Sequence, residues 1–306
     1  MVAAAQFDEY LVVDWSARST PSTGRDTVWV AHGQRVGARL DLSTENPPTR
    51  AEGMDRVAAI LDRALRSGRR VLLGFDFSFG YPAGFAEVTA GLTSAGRPPW
   101  RRTWELLAAR VEDRPDNTNN RFEAADKLNE ATGTRLFWGR PRGRLDGLRS
   151  LSATTEVPAH LRPNPSAALR RAEQAAGRGI RSSWQLYGRG SVGGQTLVGL
   201  PALRALVDGR PEALAVWPFD TGFSPEPAFR GRPAPVVVAE VWPSAFSADP
   251  GGSVRDEGQV LGTVRAIADR DARGLGGWFD PPTVAALKPE GRLAVEAEEG
   301  WILGVT

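Results

Sequence analysis

The stretch VLLGFDF at residues 71–77 restricts the fold more than any other part of the chain. It carries apolar side chains at both parities, the pattern of a strand covered on both faces. It follows directly on TRAEGMDRVAAILDRALRSG, residues 49–68, where Met54, Val57, Ile60, Leu61 and Leu65 recur near helical spacing and Gly68 supplies a stop. A helix that feeds a doubly covered strand predicts an α/β fold with that strand near the middle of the sheet. The same strand contains a carboxylate, Asp76, and burying one unpaired costs several kcal/mol. Asp76 must therefore be paired, stand at an exposed strand end, or hold a cation.

The flanking segments extend the pattern. YLVVD at 10–14 is a short apolar strand ending in Asp14, TVWVAHG at 27–33 reads as its hairpin partner after the turn STPSTG, and GARLDLS supplies a third strand. The first 80 residues thus spell β-β-β-α-β. From 85 to 200 the periodicity loosens. Helices are predicted at RTWELLAARV and NRFEAADKLNEATG, then the connector GRPRGRLDGLRS and the polar stretch SSWQLYGRGSVGGQT, and we read the whole as an inserted helical and loop subdomain. Beyond it come a helix at GLPALRALVDG, strands at LAVWPFD and APVVVAEVWPSAF, and a strong amphipathic helix, RDEGQVLGTVRAIADRDARG, with Val260, Leu261, Val264 and Ile267 on one side. EEGWILGV reads as a last strand or a packed tail. The expectation is a single domain over 1–306 with the insertion at about 85–200.

Composition narrows the chemistry. The chain has no cysteine and two histidines, His32 and His160, which excludes thiolate sites and makes a zinc site or a histidine-based triad hard to assemble. Carboxylates must then carry any catalysis. Lys127 and Lys288 are the only lysines, so the positive charge is almost all Arg, an enrichment that genome base composition explains by itself, although Arg is also the better bidentate phosphate ligand. Residues 101–189 hold seven more basic than acidic residues, a local excess that suits an anionic partner, nucleic acid or a phosphorylated small molecule. No apolar run reaches the roughly 18 residues of a membrane span, and the N-terminus lacks the basic start of a signal peptide. A soluble cytoplasmic protein without a membrane partner is expected; oligomerisation is left open.

Four positions gather the acids. Asp14 ends the first strand, Asp76 lies late in the central strand, Glu240 interrupts APVVVAEVW, and Asp256 with Glu257 opens the late helix. Asp14 could serve as a turn cap, and an acid at a helix N-terminus is favourable against the macrodipole in any case. Asp76 and Glu240 are harder to explain in ordinary structural terms, because both interrupt strongly apolar strands, although a salt bridge would still account for either. With the motifs VVDWSA, GFDFSFGYP, AEVWPSAF and DEGQVLGTVRAIADRD in this order, the sequence resembles the ribonuclease H-like superfamily, and within it a bacterial group of predicted nucleases called domain of unknown function 429. The resemblance covers the outer half of the chain. It implies an RNase H-like mixed β-sheet flanked by helices, with acids from adjacent strands converging at one edge, and a metal-dependent nuclease. Neighbouring strands lie about 4.8 Å apart, so Asp14 and Asp76 can share a divalent ion. The expected ligands are Asp14, Asp76, Glu240 and Asp256, with Glu257 beside them, and an all-oxygen shell calls for Mg²⁺ or Mn²⁺.

Candidate substrate contacts flank these acids: Ser16 and Arg18 after Asp14, Ser78 and Tyr81 after Asp76, Arg189 and Gln195 in the glycine-rich stretch, and Trp242 beside Glu240. The aromatic run Phe77, Phe79 and Tyr81 is bulkier than the turn usual in the family. Arg135, Phe137, Trp138, Arg140, Arg142 and Arg144 mix Arg with aromatics as single-strand stacking surfaces do, though Phe137 and Trp138 packed under an Arg face explain the pattern equally. Two alternatives stand beside the hydrolase. One is a non-catalytic scaffold or binding protein of the same fold serving a biosynthetic pathway. The other is an actin-like or sugar-kinase-type ATP-binding enzyme using VDWSARSTPSTG and SVGGQT as phosphate loops, against which weigh the absence of an Asp before Gly193 and Gly194 and the short chain.

Overall fold

The computed structural model describes residues 5–143, 145, 147–177 and 179–306. The first three strands form an antiparallel meander of β1 (Glu9–Asp14), β2 (Trp29–Val36) and β3 (Arg39–Glu45). β3 alternates half-buried and exposed residues and carries Arg39, Asp41 and Glu45 on the sheet edge, where charge discourages pairing with another chain. Helix α1 (Arg50–Arg66) starts where the Thr49 hydroxyl accepts the Glu52 N–H at 3.2 Å, and it buries the stripe Val57, Ile60, Leu61 and Ala64. The chain returns as β4 (Val71–Phe75), parallel to β1 and fully buried.

The remaining elements are α2 (Pro99–Arg110), α3 (Arg121–Thr132), the short α4 (Arg171–Ala176), α5 (Gly193–Asp208), β5 (Leu214–Val216), β6 (Val236–Glu240) and α6 (Arg255–Asp271), joined by short helical turns. β6 pairs with β4 and β5 lies outside it, both parallel, so the mixed six-stranded sheet runs β3-β2-β1-β4-β6-β5. The expected α/β class and central position of VLLGF hold. Three details differ. The strand ends at Phe75, which puts Asp76 just past it. SVGGQT belongs largely to α5, which starts at Gly193, six residues before GLPALRALVDG. LAVWPFD is extended only to Val216, because the Asp220 carboxylate accepts the Val216 N–H at 2.9 Å and folds the chain into a turn before Pro218.

Strand parity divides the core. Leu11, Val13, Leu73, Phe75, Val236 and Val238 face one layer, which includes α1, α2 and α5; Tyr10, Val12, Leu72, Val237, Ala239 and Val241 face α6 through Val260, Val264 and Ile267. Trp104, Phe137, Trp138 and Trp184, from the segment read as an insertion, are buried in the same cluster as Val13 and Phe75, so this segment shares the core of the sheet. The C-terminal EEGWILGV makes one bridge to the sheet, Ile302 beside Glu240, with the Leu303 N–H donating to the Glu240 carbonyl at 2.9 Å. Among the described residues no helix is long and apolar enough to cross a membrane.

The approach of α6 to β2 depends on a missing side chain. A Cβ on Gly33 would lie 2.5 Å from Val264 Cγ1 and 3.2 Å from Leu42 Cδ2. Gly33→Ala should therefore cost about 1–3 kcal/mol in urea denaturation, and adding Val264→Ala should recover part of that loss.

Candidate active site

The parallel ladder fixes the first two acids. Val13 is registered against Phe75, and the Asp76 N–H donates to the Val13 carbonyl at 2.9 Å. Asp14 and Asp76 consequently stand side by side at the C-terminal ends of β1 and β4, with their backbones about 4.8 Å apart. Asp14 shares the parity of Tyr10 and Val12, which face α6, and Asp256 lies in the first turn of that helix. The loop between β1 and β2 adds an acid that the sequence did not single out. Asp26 donates its backbone N–H to Asp256 Oδ2 at 2.7 Å, and its carbonyl accepts the Ser16 hydroxyl at 2.8 Å.

Charge is concentrated here without compensation. Among the described residues, neither the Asp14 nor the Asp76 carboxyl makes an ion pair or accepts a hydrogen bond. Burial, reinforced by Asp76, Asp256 and Asp26, raises Asp14 well above the usual carboxylate range. Burial, then Glu240 and Asp256, pushes Asp76 up to about 7.

Glu240 stands in a different environment. It has the parity of Val236 and Val238 and faces the opposite layer from Asp14. Arg170, fully buried, grips it bidentately, Nη2 to Oε1 at 2.6 Å and Nη1 to Oε2 at 2.8 Å, and the Phe79 N–H adds a third bond at 2.9 Å. Arg170 also donates to Glu173, to the Glu299 carbonyl and to the Ser78 hydroxyl, so its five N–H groups make five hydrogen bonds. This departs from the expected arrangement: Glu240 is neutralised by a cation of the chain itself. Glu257 is likewise occupied, accepting from Thr44 and Ser253, and these hydrogen bonds hold it below the usual range.

A cleft of about 710 Å³ opens beside Asp76 and Asp26, and a pocket of about 120 Å³ adjoins it at Asp14, Asp26 and Asp256. Ser78, Arg189, Gln195 and Trp242 line the cleft as candidate contacts, with Gln195 also donating to the Trp15 carbonyl at 2.6 Å. Ser16 borders the smaller pocket. Arg18 is exposed and donates to Ser22, away from both. Tyr81 cannot meet a substrate, because it is fully buried and stacked on Trp184 with centroids 4.4 Å apart. Gly193 and Gly194 are buried too; a Cβ on Gly193 would strike the Ser183 carbonyl at 2.5 Å, so these glycines admit the start of α5 against the chain and do not cradle phosphate. Phe137 and Trp138 are core residues and offer no stacking surface; Arg144 lies outside the described residues.

Among the described residues, no three His, Asp or Glu side chains form a ready-made cage for a metal. The donors nevertheless fit a hard divalent cation. Mg²⁺ commonly takes one or two protein carboxylates and completes its shell with water and substrate phosphate, and Asp14 with Asp76 supply two adjacent, unpaired oxygen donors. The sequence reasoning missed Asp26, which sits in an ordinary polar turn, and Arg170, whose partner is 70 residues away.

In metal-free protein the raised pKa of Asp76 makes its ionisation a folding cost. That cost is absent below about pH 4, grows as the unfolded chain alone loses its proton, and is complete above about pH 7. Asp76→Asn in EDTA should therefore gain stability over the wild type by roughly 1–3 kcal/mol at pH 8, with the gain fading towards pH 4 in denaturation at both pH values. A comparison with known proteins gave no match: no protein-family model, no curated protein and no solved structure corresponds to this chain.

Proposed function

We propose that this chain is a divalent-metal-dependent phosphodiester hydrolase of RNase H-like build, acting on nucleic acid or a nucleotide-like substrate. The observation that carries the reading is the unpaired carboxylate pair, Asp14 and Asp76, at the ends of adjacent central strands with Asp256 facing them from α6. The topology supports it: an antiparallel three-stranded meander, a helix, and then a parallel strand beside the first is the opening of an RNase H-like sheet.

Asp14 and Asp76 would hold Mg²⁺ or Mn²⁺, with Asp256 near enough to act on both electrostatically. When bound, the ion supplies neutralisation of the phosphoryl charge and Lewis-acid polarisation of its oxygens. In the reaction, the oxygen of water bonds to phosphorus and the ester P–O bond breaks, the leaving oxygen ending with one of the water's protons. The chain's own residues prepare the site for this. Arg170 pairs Glu240 and so offsets part of the negative charge that stands beside Asp76. The Asp26 backbone and Ser16 fix the β1–β2 loop over Asp256. Gln195 presents its amide to the cleft, while the buried Ser78 hydroxyl serves to hold Arg170 at its wall.

The test is turnover of labelled single- and double-stranded oligonucleotides and of bis(p-nitrophenyl) phosphate with Mg²⁺, Mn²⁺ or EDTA. The wild type should show metal-dependent cleavage of at least one substrate, and Asp14→Asn and Asp76→Asn should each lower kcat by about 100-fold or more, the loss of several kcal/mol of transition-state stabilisation. Cleavage that survives EDTA or either substitution, or no cleavage of any substrate, would contradict the proposal.

A further inference from the structure

We infer that the cleft beside Asp76 is built for a nucleotide-sized phosphoester carrying a second anionic group, which rests against a wall formed by Arg181, Arg189 and Arg255. The inference rests on the hydrolase reading for the reacting end of the cleft and adds the substrate class.

The first argument is charge. Arg170 lines the cleft but is matched by Glu173 and Glu240. Arg181, Arg189 and Arg255 also line it, and among the described residues none of their three guanidinium groups makes an ion pair or a hydrogen bond. Other arginines of the chain are matched by acids, as in Arg50 with Asp113, Arg101 with Asp208 and Arg210 with Asp62. Three unmatched guanidinium groups line the same cavity as Asp76, Arg255 standing next to Asp256 at the start of α6, so one site offers both acids and free cations. A phosphoester fits both: its reacting group at a cation held by carboxylates, and another phosphate on the guanidinium forks. Arg189 is flanked by Gly188 and Gly190, whose φ values of 115° and 71° suit glycine and allow the loop to turn there.

The second argument is size and shape. At about 710 Å³ the cleft falls within the roughly 300–1,000 Å³ typical of small-ligand sites. The half-buried Trp242 ring, with Ile180 and Ile302, gives it an apolar side on which a base can stack. A long nucleic acid needs instead an extended track of cations and exposed aromatics. The segment that offered such a track has its aromatics in the core: Phe137 is 1% and Trp138 0% exposed.

Calorimetric titration of the full-length Asp76→Asn protein, in EDTA and without turnover, tests this with three probes: dithymidylate bearing a 5′-phosphate, the same dinucleotide without that phosphate, and a 20-base-pair duplex. The phosphorylated dinucleotide should bind about 10-fold more tightly than the unphosphorylated one, and no less tightly than the duplex. Adding Arg181→Gln, Arg189→Gln or Arg255→Gln, all at exposed positions, should each weaken it about 3–10-fold while leaving the unphosphorylated probe unaffected. Equal binding of the two dinucleotides, or indifference to all three substitutions, would overturn the inference; so would a duplex bound 10-fold more tightly with a steep salt dependence. Wild-type cleavage of bis(p-nitrophenyl) phosphate, which lacks a second anionic group, separates the two readings. If that cleavage occurs while the dinucleotides bind alike, the substrate class fails and the hydrolase stands; if it is absent while the arginine-dependent binding persists, the anion wall stands and the hydrolase fails.

Discussion

The structure depends on how it treats negative charge withdrawn wholly or partly from water at the C-terminal edge of three neighbouring parallel strands. β1, β4 and β6 end in this region with Asp14, Asp76 and Glu240. One of these acids receives an arginine of the chain and two do not. Arg170 reaches Glu240 with bidentate geometry and spends its remaining donors on Glu173, Ser78 and the Glu299 carbonyl, tying the C-terminal segment and α4 to the sheet. Removing one partner of such a buried pair typically costs about 3–5 kcal/mol. Asp14 and Asp76 have nothing comparable, and their protonated forms are favoured accordingly.

This asymmetry follows from strand parity. The side chains of Asp14 and Glu240 leave the sheet on opposite faces, so the cation that satisfies Glu240 approaches from the layer of α4, while Asp14 faces α6 and its Asp256. The close contact of α6 with β2 over Gly33 and the hydrogen bond from Asp26 to Asp256 keep the acids in register. The cleft therefore brings acids whose charge the fold leaves uncompensated together with unpaired arginines around one cavity. An ion held by the acids and an anion held by the arginines would complete the charge balance.

Much of this frame was legible in the residues. The doubly apolar VLLGF, the amphipathic helix before it and the meander of the first 45 residues have strong periodicity, and each appears as expected. Asp14 and Asp76 stood out because a charge in or at the end of an apolar strand is costly enough to need a reason. Glu240 stood out on the same ground, yet its reason is Arg170, a partner that no local pattern points to. Tyr81 looked like a pocket residue from its nearness to Asp76, but beyond the end of β4 the chain turns inward and Tyr81 stacks on Trp184. Within 85–200 the helices at RTWELLAARV and NRFEAADKLNEATG were legible, but how the segment packs was not, because that comes from scattered aromatics that meet only in the folded chain, such as Phe85, Phe137 and Trp184.

The central claim is that Asp14 and Asp76 are left without a counter-charge because they hold a divalent cation. Isothermal titration of Mn²⁺ into the protein at pH 6.5, in two buffers of different ionisation enthalpy, measures this directly. The account predicts saturable binding accompanied by proton release, since the ion must displace the proton that the half-buried pair retains near that pH, and loss of both signals in Asp76→Asn. Binding without proton release, binding unchanged in Asp76→Asn, or no binding at millimolar Mn²⁺ would contradict it.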